Sequence, residues 1–132
     1  MIMLGEALLA HLAGDYLLQT DWMAAQKVRR LWPAIIHGLA YSLPFLLITR
    51  SPWALLVIAG THAMLDRYRA ATHLIWARSL IGPRKSRVPW REALGNCGFA
   101  ASVPPGLAMA LMIVSDNTIH MLVNAAALAW LG

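Results

Sequence analysis

The sequence predicts an all-α fold: a polytopic transmembrane helix bundle of about four spans with a basic cytoplasmic loop, in one integral membrane domain covering residues 1–132. Three observations predict it. Of the 132 residues, 59% are hydrophobic and 13% charged, about half the charged share of an ordinary soluble domain. The apolar residues gather into stretches that approach the ~20 residues needed to cross a hydrocarbon core. The basic residues sort almost entirely into alternate connections between those stretches. A mean hydropathy of +0.57, with six Trp and seven Met, excludes disorder and argues against a water-soluble monomer. The single cysteine, Cys97, makes no internal disulfide and has no CxxC or Cys/His surroundings, so neither a redox framework nor a zinc finger is indicated.

The first span is expected from Met1 to Gln19. It lacks a basic leader and an A-x-A cleavage pattern and carries Glu6, His11 and Asp15, so it reads as a retained span. The second runs from Leu31 to Thr49. The third, from Pro52 to Asp66, opens on Ser51 as N-cap with Pro52 in the first turn. Being short, it is expected to continue as helix through Arg67 to Ala77. The fourth, Pro105 to Leu131, opens on Pro104-Pro105-Gly106. The patch from Leu94 to Val103 reads as an interfacial helix, a re-entrant segment or a fifth span, and a five-span fold requires a turn at Ser115-Asp116-Asn117.

Lys27, Arg29 and Arg30 fall between spans one and two, and Arg67, Arg69, Arg78, Arg84, Lys85, Arg87 and Arg91 between three and four. Only Arg50 falls in the other connection. The positive-inside rule then places the basic loops in the cytoplasm and both termini outside, in the cytoplasmic (inner) membrane. The cluster Arg84, Lys85, Arg87 and Arg91 suits anionic lipid headgroups, which its place between two apolar spans favours over nucleic acid. Trp22, Trp32, Trp53, Trp76 and Trp90 sit near span ends, where indoles anchor at the interface.

An ionisable side chain at the bilayer centre costs about 2.5 to 3.5 kcal/mol even on a lenient scale, yet this chain carries many. His11 and Asp15 stand i,i+4 on span one, with Gln19 one turn on. His62 and Asp66 repeat the spacing on span three, with Arg69 and His73 continuing the stripe. On span four the order reverses to Asp116 then His120, with Asn124 following. Because span four runs opposite to spans one and three, the reversal restores one order of depth, a layer of Asp beneath a layer of His. Three carboxylates in a low-dielectric site cannot all stay ionised without cations or protons, and a metal is the natural counter-charge. His11, Asp15, His62, Asp66, Asp116 and His120 are therefore the expected ligands of one or two divalent metals, with zinc, manganese or iron suiting imidazole and carboxylate. Gln19, Asn117 and Asn124 read as supporting polar groups between helices. Arg69 either neutralises Asp66 or faces an anionic substrate, and His37 relays a proton.

HLAGDYLLQTDWMA, the isolated His of IIHGLAYSLPFLL, THAMLDRYR and DNTIHMLVNAAAL together resemble a family of small prokaryotic and phage-encoded integral membrane proteins classed as a domain of unknown function. Its pattern is HxxxDxxxQ, a lone His, HxxxDxxK and D-[QN]-x-x-H, and the resemblance runs over nearly the whole chain. It implies functional roles for His11, Asp15, Gln19, His37, His62, Asp66, Asp116, Asn117 and His120. Arg69 stands where the family often has Lys, a change of geometry at constant charge. A looser similarity to membrane-bound metal-dependent hydrolases raises the same chemistry.

Three functions compete. A metal-dependent hydrolase would act on a membrane-associated substrate, with the His/Asp set holding metal and Arg69 or His37 assisting. A cation or proton transporter or channel subunit would use the same groups as a pathway, and with so few spans would require a homo-oligomer. A phage or bacterial membrane adaptor would keep the polar core for structure and recruit a partner through its basic loop.

Overall fold

The computed structural model describes residues 4–132, and among these the chain forms seven α-helices with short π and 3-10 turns and no strand. Residues 1–3, the start of the expected first span, lie outside the described residues. The chain divides into two compact units, Met1–Tyr68 with His120–Gly132, and Arg69–Ile119.

In the first unit, α1 (Leu4–Leu12) runs into a π-helical turn at Ala13–Leu17, closed by Leu18 N donating to Ala13 O at 3.1 Å. Thr20 then caps α2 (Asp21–Gln26), its hydroxyl accepting from Met23 N at 3.2 Å. A turn through Lys27 leads to α3 (Leu31–Ser42), which tightens into a 3-10 turn at Leu43–Leu47, where Pro44 lacks the N–H a regular helix would use. Ser51 caps α4 (Pro52–Arg67), accepting from Ala54 N at 3.3 Å with Pro52 in the first turn, as the sequence predicts.

Small residues let these helices meet backbone to backbone. A methyl group on Gly38 would stand 2.5 Å from Ala59 O and 3.1 Å from Ala63 Cβ, and one on Gly14 would stand 2.6 Å from Tyr41 O. Glycine at both positions therefore sets the spacing of α3 against α4 and of the π turn against α3. An apolar cluster of Ala7, Ala10, Tyr41, Phe45, Ile58, Ala127 and Leu128 closes one part of the interior. Elsewhere the usual distribution is inverted: His11, His37, His62 and His120 are buried while Leu9, Leu47 and Trp53 are 68%, 91% and 68% exposed.

In the second unit, α5 (Ala70–Ser79), a 3-10 turn at Arg84–Ser86 and α6 (Trp90–Gly95) precede the long α7 (Pro105–Leu131), whose last residues from His120 belong to the first unit. Trp76 Nε1 donates to Val88 O at 3.0 Å, and Trp90 packs edge-on against Trp76 and stacks on the exposed His73. These two half-buried indoles pack on one another, whereas Trp22, Trp32 and Trp53 are exposed.

Three expectations are corrected. Among the described residues one helix, α7, is long and apolar enough to cross a membrane by length and composition, not four. The other expected spans are helical where the sequence places them but short: the 17 residues of Leu31–Leu47 and the 16 of α4 reach about 24–26 Å at 1.5 Å per residue, against a core of about 30 Å. Secondly, α4 does not continue to Ala77, because Arg69 adopts the left-handed conformation (φ 52°) and breaks the helix. Thirdly, Leu94–Val103 is no span. After α6 it turns through Cys97 and Gly98, both at positive φ, held by Asn96 Nδ2 donating to Ala100 O and Val103 O at 2.8 and 2.9 Å. Ser115-Asp116-Asn117 lies inside the unbroken α7, which removes the five-span alternative.

Candidate metal centre

The site is assembled in the first unit. The π turn of α1 carries Asp15, α3 carries His37, and α4 carries His62 and Asp66 one helical turn apart. The close approach of α3 and α4 at Gly38 brings the imidazoles of His37 and His62 together, Nε2 to Nε2 at 2.9 Å. Asp15 Oδ1 lies 3.2 Å from His37 Nε2 and 3.6 Å from His62 Nε2; Asp66 Oδ2 lies 3.3 Å from each. One ligand atom from each of the four residues is within 4.8 Å of the others, and all four residues are buried.

Hydrogen bonds alone do not account for this convergence. A ring nitrogen carries either one hydrogen or one lone pair. His37 Nε2 faces His62 Nε2, Asp15 Oδ1, Asp66 Oδ2 and the ammonium of Lys27, and satisfies one of them at most. Asp66 Oδ2 is buried and accepts no aligned hydrogen bond, its near neighbours being the Lys27 ammonium at 2.7 Å and the two imidazole nitrogens at 3.3 Å. Five of the six ligand-atom separations, at 2.9–3.6 Å, lie near those around a common ion: tetrahedral coordination with bonds of 2.0–2.2 Å spaces ligand atoms by about 3.3–3.6 Å. The residues present fit a divalent metal.

His120 and Tyr41 frame the four residues. His120 Nδ1 is 3.1 Å from His62 Nδ1, and its Nε2 is 3.3 Å from Asp66 Oδ1. With His62 Nε2 turned to the centre, its Nδ1–H donates to His120 Nδ1, and His120 Nε2–H donates to Asp66 Oδ1, so one imidazole fixes two of the four. Tyr41 stacks on His62 with ring centroids 3.6 Å apart and planes at 10°. Its hydroxyl accepts from Asn124 Nδ2 at 2.6 Å and meets His11 Nδ1 at 2.7 Å.

The expected site residues are redistributed. Asp15, His62 and Asp66 come together as the sequence predicts. His11 is not in the group: the wider π turn after it resets the register, so the i,i+4 spacing to Asp15 does not aim both side chains at one point. His37, expected as a proton relay, joins the group instead. Asp116 is half-buried one turn before His120 on α7 and lies in the second unit. Within the first unit, the carboxylates of Asp15 and Asp66 interleave with the imidazoles of His37 and His62. Arg69, expected beside Asp66, is exposed at the break between α4 and α5. Gln19 lies beyond the π turn and Asn117 is half-buried; of the three supporting amides, Asn124 reaches the network through Tyr41.

Two residues were not anticipated. Lys27 Nζ stands 2.7 Å from Asp66 Oδ2, 3.3 Å from His37 Nε2 and 3.9 Å from Asp15 Oδ1. In the sequence it stands beside Arg29 and Arg30 as one of the loop cations. Tyr41 follows His37 by four residues, a same-face spacing that could have revealed it.

Fold and site define an all-α protein with a buried His/Asp cluster able to hold a metal ion. Residues 3–88 match the family model described as "Protein of unknown function (DUF3307)", and the chain belongs to that family. The match is shorter than the resemblance seen in the sequence and stops before the Asp116–His120 motif, but it contains Asp15, Lys27, His37, His62 and Asp66. No curated protein and no solved structure matches the chain.

Proposed function

We propose that the protein is an integral membrane metalloprotein in which Asp15, His37, His62 and Asp66 bind one divalent ion, zinc, manganese or iron, for hydrolysis of a membrane-associated substrate. The convergence of ligand atoms on His37 Nε2 carries this reading, because a shared cation satisfies the contacts that hydrogen bonding leaves unmet. A bound divalent ion supplies an activated water and polarises the substrate. Asp15 and Asp66 supply charge compensation, and His120 and Tyr41 hold the ligand rings in place. Arg69 and His37 are not carried forward as catalytic residues.

The membrane reading rests on the inverted distribution of side chains: imidazoles and carboxylates inside, leucines outside, an arrangement costly in water. The 27-residue α7 spans the core, and the shorter helices are accommodated by local thinning. The exposed Arg84, Lys85 and Arg87 face anionic headgroups on the cytoplasmic side of the inner membrane, with the N-terminus outside.

Elemental analysis of detergent-purified protein tests the metal. One equivalent of a divalent metal per chain is expected in the wild type and none in Asp15→Asn or Asp66→Asn; a folded wild type without metal overturns the reading. A second reading, a proton pathway, is favoured by the unbroken imidazole run His120–His62–His37. Proton flux into liposomes carrying the metal-free protein, lost in His62→Ala, would select it.

A further inference from the structure

The ammonium of Lys27 sits among the same atoms that face the centre of the proposed metal site: Asp66 Oδ2 at 2.7 Å, His37 Nε2 at 3.3 Å and Asp15 Oδ1 at 3.9 Å. A metal bonded to those atoms at about 2.0–2.2 Å would stand in close contact with that ammonium, and two cations repel strongly in a site shielded from water. Both cannot keep these positions. We propose that Lys27 is the resident counter-ion of the site, holding the carboxylates in the metal-free protein, and that a divalent ion enters by displacing it. The inference rests on the metal-site reading.

Charge and structure agree with an exchange. Asp15 and Asp66 are two carboxylates with side chains only 8% and 4% exposed, and such a pair is costly without a cation between them. Lys27 supplies one, leaving a single negative charge that still attracts a divalent ion. Its displacement requires no unfolding. The backbone N–H of Lys27 is tied to Met23 O at 2.8 Å as the C-cap of α2, while a four-carbon lysine stem has rotatable bonds of its own beyond that anchor. The stem also marks the way in. The Lys27 side chain is 17% exposed, whereas His37 and His62 are at 0% and 1%, so within this cluster the path from outside passes the lysine.

The test is zinc alone, titrated into the metal-free full chain in detergent against a competing chelator, for wild type, Lys27→Met, Lys27→Arg and, as a control, Lys85→Met. Removing the resident charge is expected to tighten zinc binding by about tenfold or more, with Lys27→Arg and Lys85→Met no tighter than wild type. A folded Lys27→Met that binds zinc no more tightly than wild type overturns the inference while leaving the metal site standing. A wild type that binds no zinc overturns both. Should Lys27→Met not fold, acetylation of the wild type reads the same displacement. Zinc should speed modification of Lys27 severalfold relative to Lys85, and an unchanged ratio overturns the proposal.

Discussion

His62 and His120 meet nitrogen to nitrogen, Nδ1 to Nδ1 at 3.1 Å, across a sequence separation of 58 residues. Two imidazole nitrogens this close share one hydrogen, and the bond from His120 Nε2 to Asp66 Oδ1 decides which ring gives it. His120 is thus a positioning residue. His120→Ala is expected to weaken zinc binding about 10- to 100-fold while stoichiometry at saturating zinc stays at one per chain. A stoichiometry that falls to zero would make His120 itself a ligand.

Gly38 holds α3 against α4 where a methyl group would stand 2.5 Å from Ala59 O, and backbone does not yield as a side chain tip does. Gly38→Ala should destabilise the protein by about 1–3 kcal/mol and weaken zinc binding as well, because the same contact sets the 2.9 Å between His37 and His62. Thermal melts in detergent beside zinc titrations check both effects. A melting temperature lowered with zinc affinity intact would uncouple helix spacing from the site.

Tyr41→Phe keeps the ring stacked on His62 but removes the hydroxyl that accepts from Asn124 Nδ2 and meets His11 Nδ1. The expected outcome is a loss of about 1–3 kcal/mol of stability with zinc stoichiometry unchanged. Loss of zinc from a folded variant would make the hydroxyl part of the coordination.

Arg69 is exposed and adopts φ 52°, a conformation glycine takes without a Cβ penalty. Arg69→Gly should hold zinc as wild type does and melt at the same temperature or slightly higher, by about 0.5–1 kcal/mol. Lost zinc binding would restore the pairing with Asp66 that the sequence spacing suggests.

Saturating zinc should raise the melting temperature, by about 2.7 kcal/mol of stabilisation at a hundredfold excess over the dissociation constant. Chelation should reverse the shift, and in Asp66→Asn neither addition nor chelation should move the transition.

The helical segments were legible because apolar stretches and Ser-Pro or Pro-Pro starts are local signals, and α4 and α7 begin where those signals lie. The pairing of His62 with Asp66 was legible for the same reason, since a regular helix carries i and i+4 on one face. His11 and Asp15 have identical spacing, but the π turn between them is imposed by packing around Gly14 and Tyr41, which no local pattern announces. Arg69 was misplaced because a left-handed residue ends the helix that the stripe of polar positions seemed to continue. Lys27 was hidden by its neighbours. Beside Arg29 and Arg30 it counts as one more loop charge, and only the return of the chain through α2 brings it to Asp66.

The four residues that converge on the centre all fall between positions 15 and 66, inside the stretch 3–88 shared with the family, whereas His120 is delivered by a helix beyond it. In the proposed metal centre, ligand identity and ligand alignment would then come from different parts of the chain. Exchange of the final helix would retune how tightly an ion is gripped, and how fast it is released, without altering the four residues proposed to touch it.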